Sequence, residues 1–327
     1  MTRMNAAVVT SFAEPPRYQP FDVPQPRGDG EALVDVLAAG LHPRVRSGAS
    51  GAHYTSTGTL PMIPGIDAVG RRPDGRLIYF AAADDVIGTM ADKALASPRR
   101  SVELPEDADP AQIAAVMNPA MSSWVALRRR ARLQPGQSVL VLGATGSAGA
   151  MAVQVARLLG AGRVVGAGRD PGRLRALTAA TAAGAGADDV VRLTADAGTT
   201  GRALGAAAAG TDIVLDYLWG LPAQQAIAAL LTARSDRSRP LDWVQIGAVA
   251  GATIELPSAA LRSASLRLQG SGQGAVGTDD YLAELPPLIS EISAGRITVT
   301  TSTVPLADVE QAWTRPETPG ERTVLVP

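Results

Sequence analysis

The feature that most limits the fold is a regular alternation of strand-like and helix-like segments between Ser138 and about Gly270. Short apolar runs are followed by segments whose apolar residues recur every three to four positions. The predicted strands are 138–142, 163–167, 189–192, 212–215, 244–246 and 266–269, and the predicted helices include 147–159, 173–180 and 222–231. This spacing predicts an α/β fold in which a doubly wound parallel sheet carries helices on both faces.

The residues on either side of this region have a different sequence pattern. Up to about Ser97 the strand-like runs are short and bounded by Pro and Gly clusters, which predicts an irregular β-rich domain. Asp109 stands where it would cap a helical region over 111–116 and 122–132. After Tyr281 the chain offers one helix and two strands, 297–299 and 323–326, too little for a third domain. We expect this tail to return to the first domain, so the predicted domains are 1–120 completed by 275–327, and 121–274.

Three glycines lie between the first strand and the first helix of the alternating region. Gly146 would let the backbone approach a pyrophosphate, and Gly149 would let the helix pack closely on the sheet. The free N–H groups and positive end of the helix would then face the phosphates. The sequence therefore predicts a dinucleotide site formed by Gly143, Thr145, Gly146, Ser147, Ala148 and Gly149.

The end of the second predicted strand indicates which dinucleotide binds. An NAD site presents an acidic side chain there, whereas this chain has Gly168 followed by Arg169. Arg169, joined by Arg173 in the following helix, would offer cations to a 2′-phosphate, which favours NADPH as the cofactor. Two alternatives stay open: Asp170 can serve an NAD ribose, or both arginines are solvated surface residues.

Composition excludes several classes of function. With no cysteine the chain has no disulfide, iron–sulfur cluster, thiolate zinc site or cysteine nucleophile. The 30 Lys and Arg against 31 Asp and Glu leave no surplus of cations for a nucleic-acid surface. The N-terminus lacks the features of a secretory signal, and polar residues and glycines interrupt the longest uncharged stretch, 138–156. We expect a cytoplasmic protein with no nucleic-acid partner and no membrane span.

Six further segments accompany the glycine turn: AGLHP at 39–43, PGIDAVG at 64–70, VQVA at 153–156, VQIG at 244–247, LQGSG at 268–272 and GERTVL at 320–325. In this order the chain resembles the medium-chain dehydrogenase/reductase superfamily, and within it the zinc-free quinone oxidoreductase-like branch, over essentially its full length. The resemblance implies a GroES-like β domain, an inserted Rossmann domain and an active site in the cleft between them.

Zinc-dependent members of that superfamily hold a catalytic zinc with side chains at positions that match His42, Ile66 and Asn118 here. An isoleucine cannot ligate a metal, so the resemblance implies an enzyme without zinc. Without a Lewis acid, the substrate itself must delocalise the charge of the incoming hydride, as a quinone or an α,β-unsaturated carbonyl does. We expect NADPH-dependent hydride transfer to a quinone or another conjugated carbonyl acceptor. An enoyl or enone C=C reductase in a biosynthetic pathway and a non-catalytic NADPH-binding sensor are the alternatives.

The resemblance also implies which side chains line the cleft. Tyr54 is a candidate catalytic residue that would donate to the substrate, with a packing role as the alternative. His42 is a second candidate, either a hydrogen-bonded group near the cleft floor or a proton donor. Asp67 is expected to make a structural hydrogen bond, and Asp216 to cap, to pair or to bind. Further cofactor contacts are expected from Ser122, Ser123, Gly247, Ala248, Gly270, Ser271 and Arg322.

Two other segments complete the expectations. The basic run of Arg128, Arg129, Arg130 and Arg132 is interpreted as a solvated helix surface, because its members splay over several faces. The apolar stretch 252–268 would provide the edge strand through which relatives pair their Rossmann sheets, so the resemblance also implies a homodimer.

Overall fold

The computed structural model describes residues 2–28, 30–53, 55–272, 274–316, 318 and 320–327. The strands are β1 (Arg3–Val8), β2 (Arg17–Asp22), β3 (Ala32–Leu41), β4 (Asp67–Arg71), β5 (Leu77–Ala81), β6 (Lys93–Ala96), β7 (Ser101–Glu103), β8 (Ser138–Leu142), β9 (Arg163–Gly168), β10 (Asp189–Arg192), β11 (Ile213–Asp216), β12 (Leu241–Gln245), β13 (Leu266–Gly270), β14 (Thr300–Pro305) and β15 (Glu321–Val326). The α-helices are α1 (Pro43–Ala49), α2 (Pro110–Val125), α3 (Ser147–Leu158), α4 (Pro171–Ala179), α5 (Ala197–Ala208), α6 (Gly220–Ala233), α7 (Ser258–Arg262), α8 (Thr278–Ser293) and α9 (Val309–Thr314). Short 3-10 helices cover Pro98–Arg100, Ala180–Ala183 and Leu306–Asp308, and a π-helical turn covers Ala126–Arg130.

The chain divides into two compact units. The first unit contains the residues up to Asn118 and from Leu285 onward, and the second contains Pro119–Glu284. The first unit is a β domain and the second a doubly wound parallel sheet, so the predicted α/β class is confirmed. Among the described residues, no helix is both long enough and apolar enough to cross a bilayer.

The first unit is built on a largely antiparallel sheet of order β14-β15-β3-β4-β5-β7, with β6 also paired to β3 and a separate β1-β2 pair. In β3, buried Val34 and Val36 alternate with exposed Asp35, the pattern of a strand with one face in the core. Ile63, Phe80 and Leu325 lie in the same core.

The C-terminal tail joins this sheet, because β15 pairs antiparallel with β3. The predicted strand at 297–299 is wrong: Ile297 is fully buried outside any strand, and the strand is β14. β14 lies at the edge of the sheet and is rich in Thr and Ser, so it lacks the apolar run by which a strand is recognised.

The second unit has six parallel strands in the order β10-β9-β8-β11-β12-β13. Counted within the unit, this order is 3-2-1-4-5-6, the arrangement in which ligands bind outside the carboxyl ends of the strands where the winding reverses. That reversal lies between β8 and β11, whose residues Leu140, Leu142 and Val214 are fully buried. The stretch 252–268 forms α7 and part of the edge strand β13.

Helix α2 differs from the sequence expectation. It runs without a break from Pro110 to Val125, although Pro119 lies inside it. Proline removes one backbone donor, and the flanking residues Val116, Met117 and Ala120 are fully buried, so packing holds the helix together. Asp109 caps the helix as expected, because its Oδ1 accepts from the N–H groups of residues 111 and 112 at 2.9 and 3.2 Å.

Candidate functional site

The glycine turn joins β8 to α3 at the point where the sheet reverses its winding. The N–H groups of Gly143 and Ala144 both donate to the carbonyl of Ala167 in β9, each at 2.9 Å, and Gly143 has a φ of +90°. The first turn of α3 closes with Ala150 N–H donating to the Gly146 carbonyl at 2.8 Å. The N–H groups of residues 147–149 precede that bond and form the positive end of the helix, which suits an anionic ligand.

The glycines at this site are constrained by packing to different degrees. A Cβ added to Gly149 would lie 2.2 Å from the carbonyl oxygen of Gly143, so packing within the turn excludes any side chain there. A Cβ added to Gly168 would likewise lie 2.5 Å from the Thr145 side chain. A Cβ on exposed Gly146 would meet the Gly143 oxygen at 3.4 Å, an ordinary contact. The protein's own packing would therefore accept a residue larger than glycine at position 146. The open space in front of Gly146 is available to a ligand.

The predicted cations at the end of β9 have different environments. Arg169 is exposed, whereas Arg173 is partly buried and its Nη1 donates to the Thr145 carbonyl at 2.7 Å. Asp170 caps α4, since its Oδ1 accepts from Arg173 N–H at 2.9 Å, and this backbone bond lowers the pKa of the Asp170 carboxyl. Arg173 thus braces the glycine turn, and Arg169 is the exposed cation next to it.

Asp216 ends β11 on the other side of the reversal and is fully buried. Its Oδ1 accepts from the N–H groups of Leu218 and Trp219 at 2.8 and 2.9 Å, and its Oδ2 accepts from Trp243 Nε1 at 3.0 Å. Burial raises the pKa of this carboxyl. Asp216 therefore accepts hydrogen bonds from the turn that precedes α6, whose N-cap residue is Trp219. It holds a turn in which Trp219 has the strained backbone angles φ 52° and ψ −159°.

Tyr217 follows Asp216 and was missed by sequence reasoning. Its hydroxyl lies 2.9 Å from Ser122 Oγ, and because the Ser122 hydroxyl donates to the Pro119 carbonyl at 2.8 Å, Tyr217 is the donor. Burial raises the pKa of Tyr217 to about 12. Ser123 is fully buried and donates to the Ala120 carbonyl at 3.0 Å. The sequence did contain a sign of this residue: Tyr217 directly follows β11, a strand next to the point where the sheet reverses its winding, and ligands bind there in such folds.

The loops after β12 and β13 carry the next group of predicted cofactor residues. Gly247 N–H donates to the Asp216 carbonyl at 3.1 Å, and Ala248 beside it is exposed. Ser271 N–H donates to the Gln245 carbonyl at 2.8 Å, while Gly270 is exposed. Because the strands are parallel, these loops leave the same edge of the sheet as the glycine turn.

The basic run lies at the surface, as interpreted, with Arg128, Arg129 and Arg132 exposed, but several of its side chains also donate hydrogen bonds to other parts of the second unit. Arg130 Nε donates to the Gly270 carbonyl at 2.9 Å, so this side chain ties down the loop after β13. Arg128 and Arg129 both donate to the buried carboxylate of Glu284, which also accepts from Trp124 Nε1 at 2.8 Å. Glu284 is more than 150 positions away from these arginines in the sequence, so local periodicity contained no sign of the pairing.

The first unit contains the other candidate residues. His42 Nε2 lies 3.2 Å from Asp67 Oδ1, and the Tyr79 hydroxyl donates to Asp67 Oδ2 at 2.7 Å. All three side chains are buried, and burial raises the pKa of Tyr79 well above its usual value. The structural hydrogen bond expected of Asp67 is confirmed.

The remaining candidate residues of the first unit have different surroundings. Arg322 is buried on β15. His53 Nδ1 lies 3.0 Å from Thr55 Oγ1, and partial burial, aided by Arg44, lowers the pKa of His53 to about 4. Tyr54 lies outside the described residues. Within the described ranges, no three His, Asp or Glu side chains are grouped as metal ligands would be.

The chain is similar in sequence to proteins named as quinone reductases or quinone oxidoreductases. No family model matches the chain. The protein named "Probable NADPH-dependent quinone reductase tdiC" from Emericella nidulans is 30% identical over 364 residues, covering 99% of this chain and 100% of its own. The quinone oxidoreductase of Pongo abelii is 35% identical over 162 residues, covering 46% of this chain and 48% of its own. A mycobacterial protein solved in complex with NADPH has the same fold, with a TM-score of 0.76 and 22% identity over 99% of this chain and 100% of its own.

Proposed function

Because the chain belongs to the quinone oxidoreductase-like enzymes of the medium-chain dehydrogenase/reductase superfamily, we propose that it transfers hydride from NADPH to a quinone or another conjugated carbonyl. The observation that carries the proposal is the glycine turn beside Arg169 at the carboxyl edge of the parallel sheet. A full-length relative named as an NADPH-dependent quinone reductase supports it.

The residues of the second unit fit a dinucleotide phosphate. The open space at Gly146 and the N–H groups of residues 147–149 would hold the pyrophosphate. Exposed Arg169 would pair with a 2′-phosphate, and Arg173 would hold the turn through the Thr145 carbonyl. Because Asp170 is engaged as the cap of α4, its Oδ1 is already occupied by a backbone donor, which favours NADPH over NAD.

When bound, the nicotinamide supplies the hydride, and the protein supplies position and hydrogen bonds. The loops with Gly247, Ala248, Gly270 and Ser271 lie on the same edge of the sheet and would orient the nicotinamide amide. The Tyr217 hydroxyl, kept protonated by burial, holds Ser122 in place. Rigid placement of this kind is the main contribution a protein makes to hydride transfer.

Independence from zinc belongs to the same proposal. Ile66 stands where a ligand would be needed, and an isoleucine side chain cannot ligate a metal. Without a metal to stabilise an alkoxide, the substrate has to spread the negative charge, which selects quinones and conjugated carbonyls over simple ketones.

The test is NADPH oxidation, followed by absorbance, with simple quinones, 2-enones and enoyl thioesters under identical conditions. We expect turnover with quinones, unaffected by a metal chelator. Fast turnover of enones or thioesters with little quinone activity would replace the proposal with a C=C reductase. Binding of NADPH without oxidation by any acceptor would contradict both and indicate a cofactor-binding sensor.

A further inference from the structure

A second exposed cation lies beside Arg169, at the carboxyl end of β10. In the parallel ladder between β9 and β10, Arg192 is the register partner of Gly168, and Leu193 N–H donates to the Gly168 carbonyl at 2.8 Å. Neighbouring strands lie about 4.8 Å apart, so the backbone of Arg192 is about that far from the residue that precedes Arg169. All of these residues belong to the second unit. The sequence motif covers only the glycine turn and the end of β9, and therefore did not include Arg192.

The face of the sheet from which Arg192 leaves follows from its neighbours. Val191 and Leu193 are buried in the core that α5 shares with the sheet, so Arg192, which lies between them, leaves the opposite face. Residues paired in register share a face, and a Cβ on Gly168 would lie 2.5 Å from the Thr145 side chain. Arg192 therefore leaves β10 on the face that carries Thr145 of the glycine turn.

The exposed cations Arg169 and Arg192 have no acidic partner within the described part of the chain. Asp170 caps α4, and Asp189, at the opposite end of β10, pairs with Arg163 at 3.3 Å. Two uncompensated positive charges on adjacent strand ends repel each other, and an anion bound by both would relieve this repulsion.

The chemistry of the two side chains indicates a phosphate. Guanidinium groups bind phosphate oxygens through charge-assisted hydrogen bonds that are commonly bidentate. β10 is an edge strand of the described sheet, so Arg192 has a neighbouring strand on one side only. This inference rests on the proposed function, in which Arg169 pairs with the 2′-phosphate of NADPH. We propose that Arg192 is a second cation for that phosphate, supplied from the neighbouring strand, and a further determinant of the preference for NADPH over NADH.

The test measures the 2′-phosphate separately from the rest of the cofactor and needs no acceptor. Isothermal titration calorimetry compares adenosine 2′,5′-bisphosphate, which carries the 2′-phosphate, with adenosine 5′-monophosphate, which lacks it. Arg192→Gln should weaken binding of the bisphosphate about tenfold, as expected for loss of one hydrogen-bonded charge, and leave binding of the monophosphate unchanged. Arg192→Lys should restore part of the loss. The matched control is Arg262→Gln: Arg262 is exposed on α7, next to β13 at the opposite edge of the sheet, and its loss should change neither affinity.

A double-mutant cycle tests whether the two arginines bind one phosphate. If they do, the losses from Arg169→Gln and Arg192→Gln are not additive in the double variant, whereas groups that act separately give additive losses. Should the nucleotides bind too weakly for calorimetry, fluorescence titration of the same variants with NADPH and NADH gives the same comparison. An unchanged affinity for the bisphosphate in Arg192→Gln, equal losses for both nucleotides, or additive losses would each overturn the proposal.

The same measurements separate this inference from the proposed function. If the unmodified protein prefers the bisphosphate and Arg192→Gln keeps the full preference, the role of Arg192 is refuted and NADPH dependence stands. If the unmodified protein binds the two nucleotides equally, the assignment of NADPH fails. A lack of quinone reduction would refute the proposed reaction and leave the nucleotide measurements to decide the role of Arg192.

Discussion

The same substitution, glycine to alanine, should have different effects at two positions of the glycine turn: loss of fold stability at one and loss of cofactor binding at the other. Alanine at Gly149 places its Cβ 2.2 Å from the Gly143 carbonyl oxygen, whereas alanine at Gly146 places it at 3.4 Å. The backbone angles of Gly146, φ −81° and ψ 161°, are also accessible to alanine. We therefore expect Gly149→Ala to destabilise the fold and Gly146→Ala to spare the fold and obstruct the cofactor.

The magnitudes follow from these distances. At Gly149 the contact is about 1 Å short of van der Waals separation, and the obstacle is backbone, so α3 or the turn must move. Overpacking of this kind costs about 1–3 kcal/mol of unfolding free energy. At Gly146 a methyl group would stand where a phosphate approaches the helix N-terminus, and we expect the Kd for NADPH to rise about tenfold, which is about 1.4 kcal/mol.

Urea unfolding, followed by circular dichroism, measures the first effect, and NADPH fluorescence titration measures the second. Both are performed on both variants and on the unmodified protein. The reasoning is refuted if Gly146→Ala is the less stable variant, or if it binds NADPH as tightly as the unmodified protein. A stable Gly149→Ala variant would show that the turn yields more easily than its geometry indicates.

Three further predictions concern side chains around the same edge of the sheet. Arg169→Ala should raise KM for NADPH far more than KM for NADH, because the proposed role of its cation is to pair with the 2′-phosphate. Equal effects in steady-state kinetics would argue against that role. Arg130→Gln should raise KM for NADPH several-fold by releasing the Gly270 carbonyl, with Arg130→Lys partly restoring it, whereas Arg132→Gln, a change of an exposed side chain in the same run, should not. The folded-state pKa of Tyr217, about 12 against an ordinary value of 10, contributes stability that is complete below pH 10 and is lost between pH 10 and 12. The loss of unfolding free energy between pH 9 and pH 11, measured by urea unfolding, should therefore be smaller in Tyr217→Phe by about 1.3 kcal/mol. An unchanged loss would place this phenol in solvent.

Much of the second unit was predictable because its signals are local. The strands 138–142 and 189–192 were predicted with the bounds the structure has, since β-branched apolar runs between turn residues leave few alternatives. The glycine turn was equally visible, because the required glycines lie within a few positions of one another. Edge strand β14 and the unbroken helix α2 were not, since edge strands need no apolar run and packing overrides a single proline.

The sequence by itself determined the α/β class, the place of the glycine turn and the exclusion of cysteine chemistry, because each depends on neighbouring residues or on composition. Only the tertiary structure decided which polar groups meet. Ser122 and Tyr217 are 95 positions apart, and His42 and Asp67 are 25 apart. Their pairing depends on sheet order and on burial, which removes water as a competing partner and makes each polar group find another. The same requirement makes Arg128 and Arg129, which stay at the surface, the partners of buried Glu284.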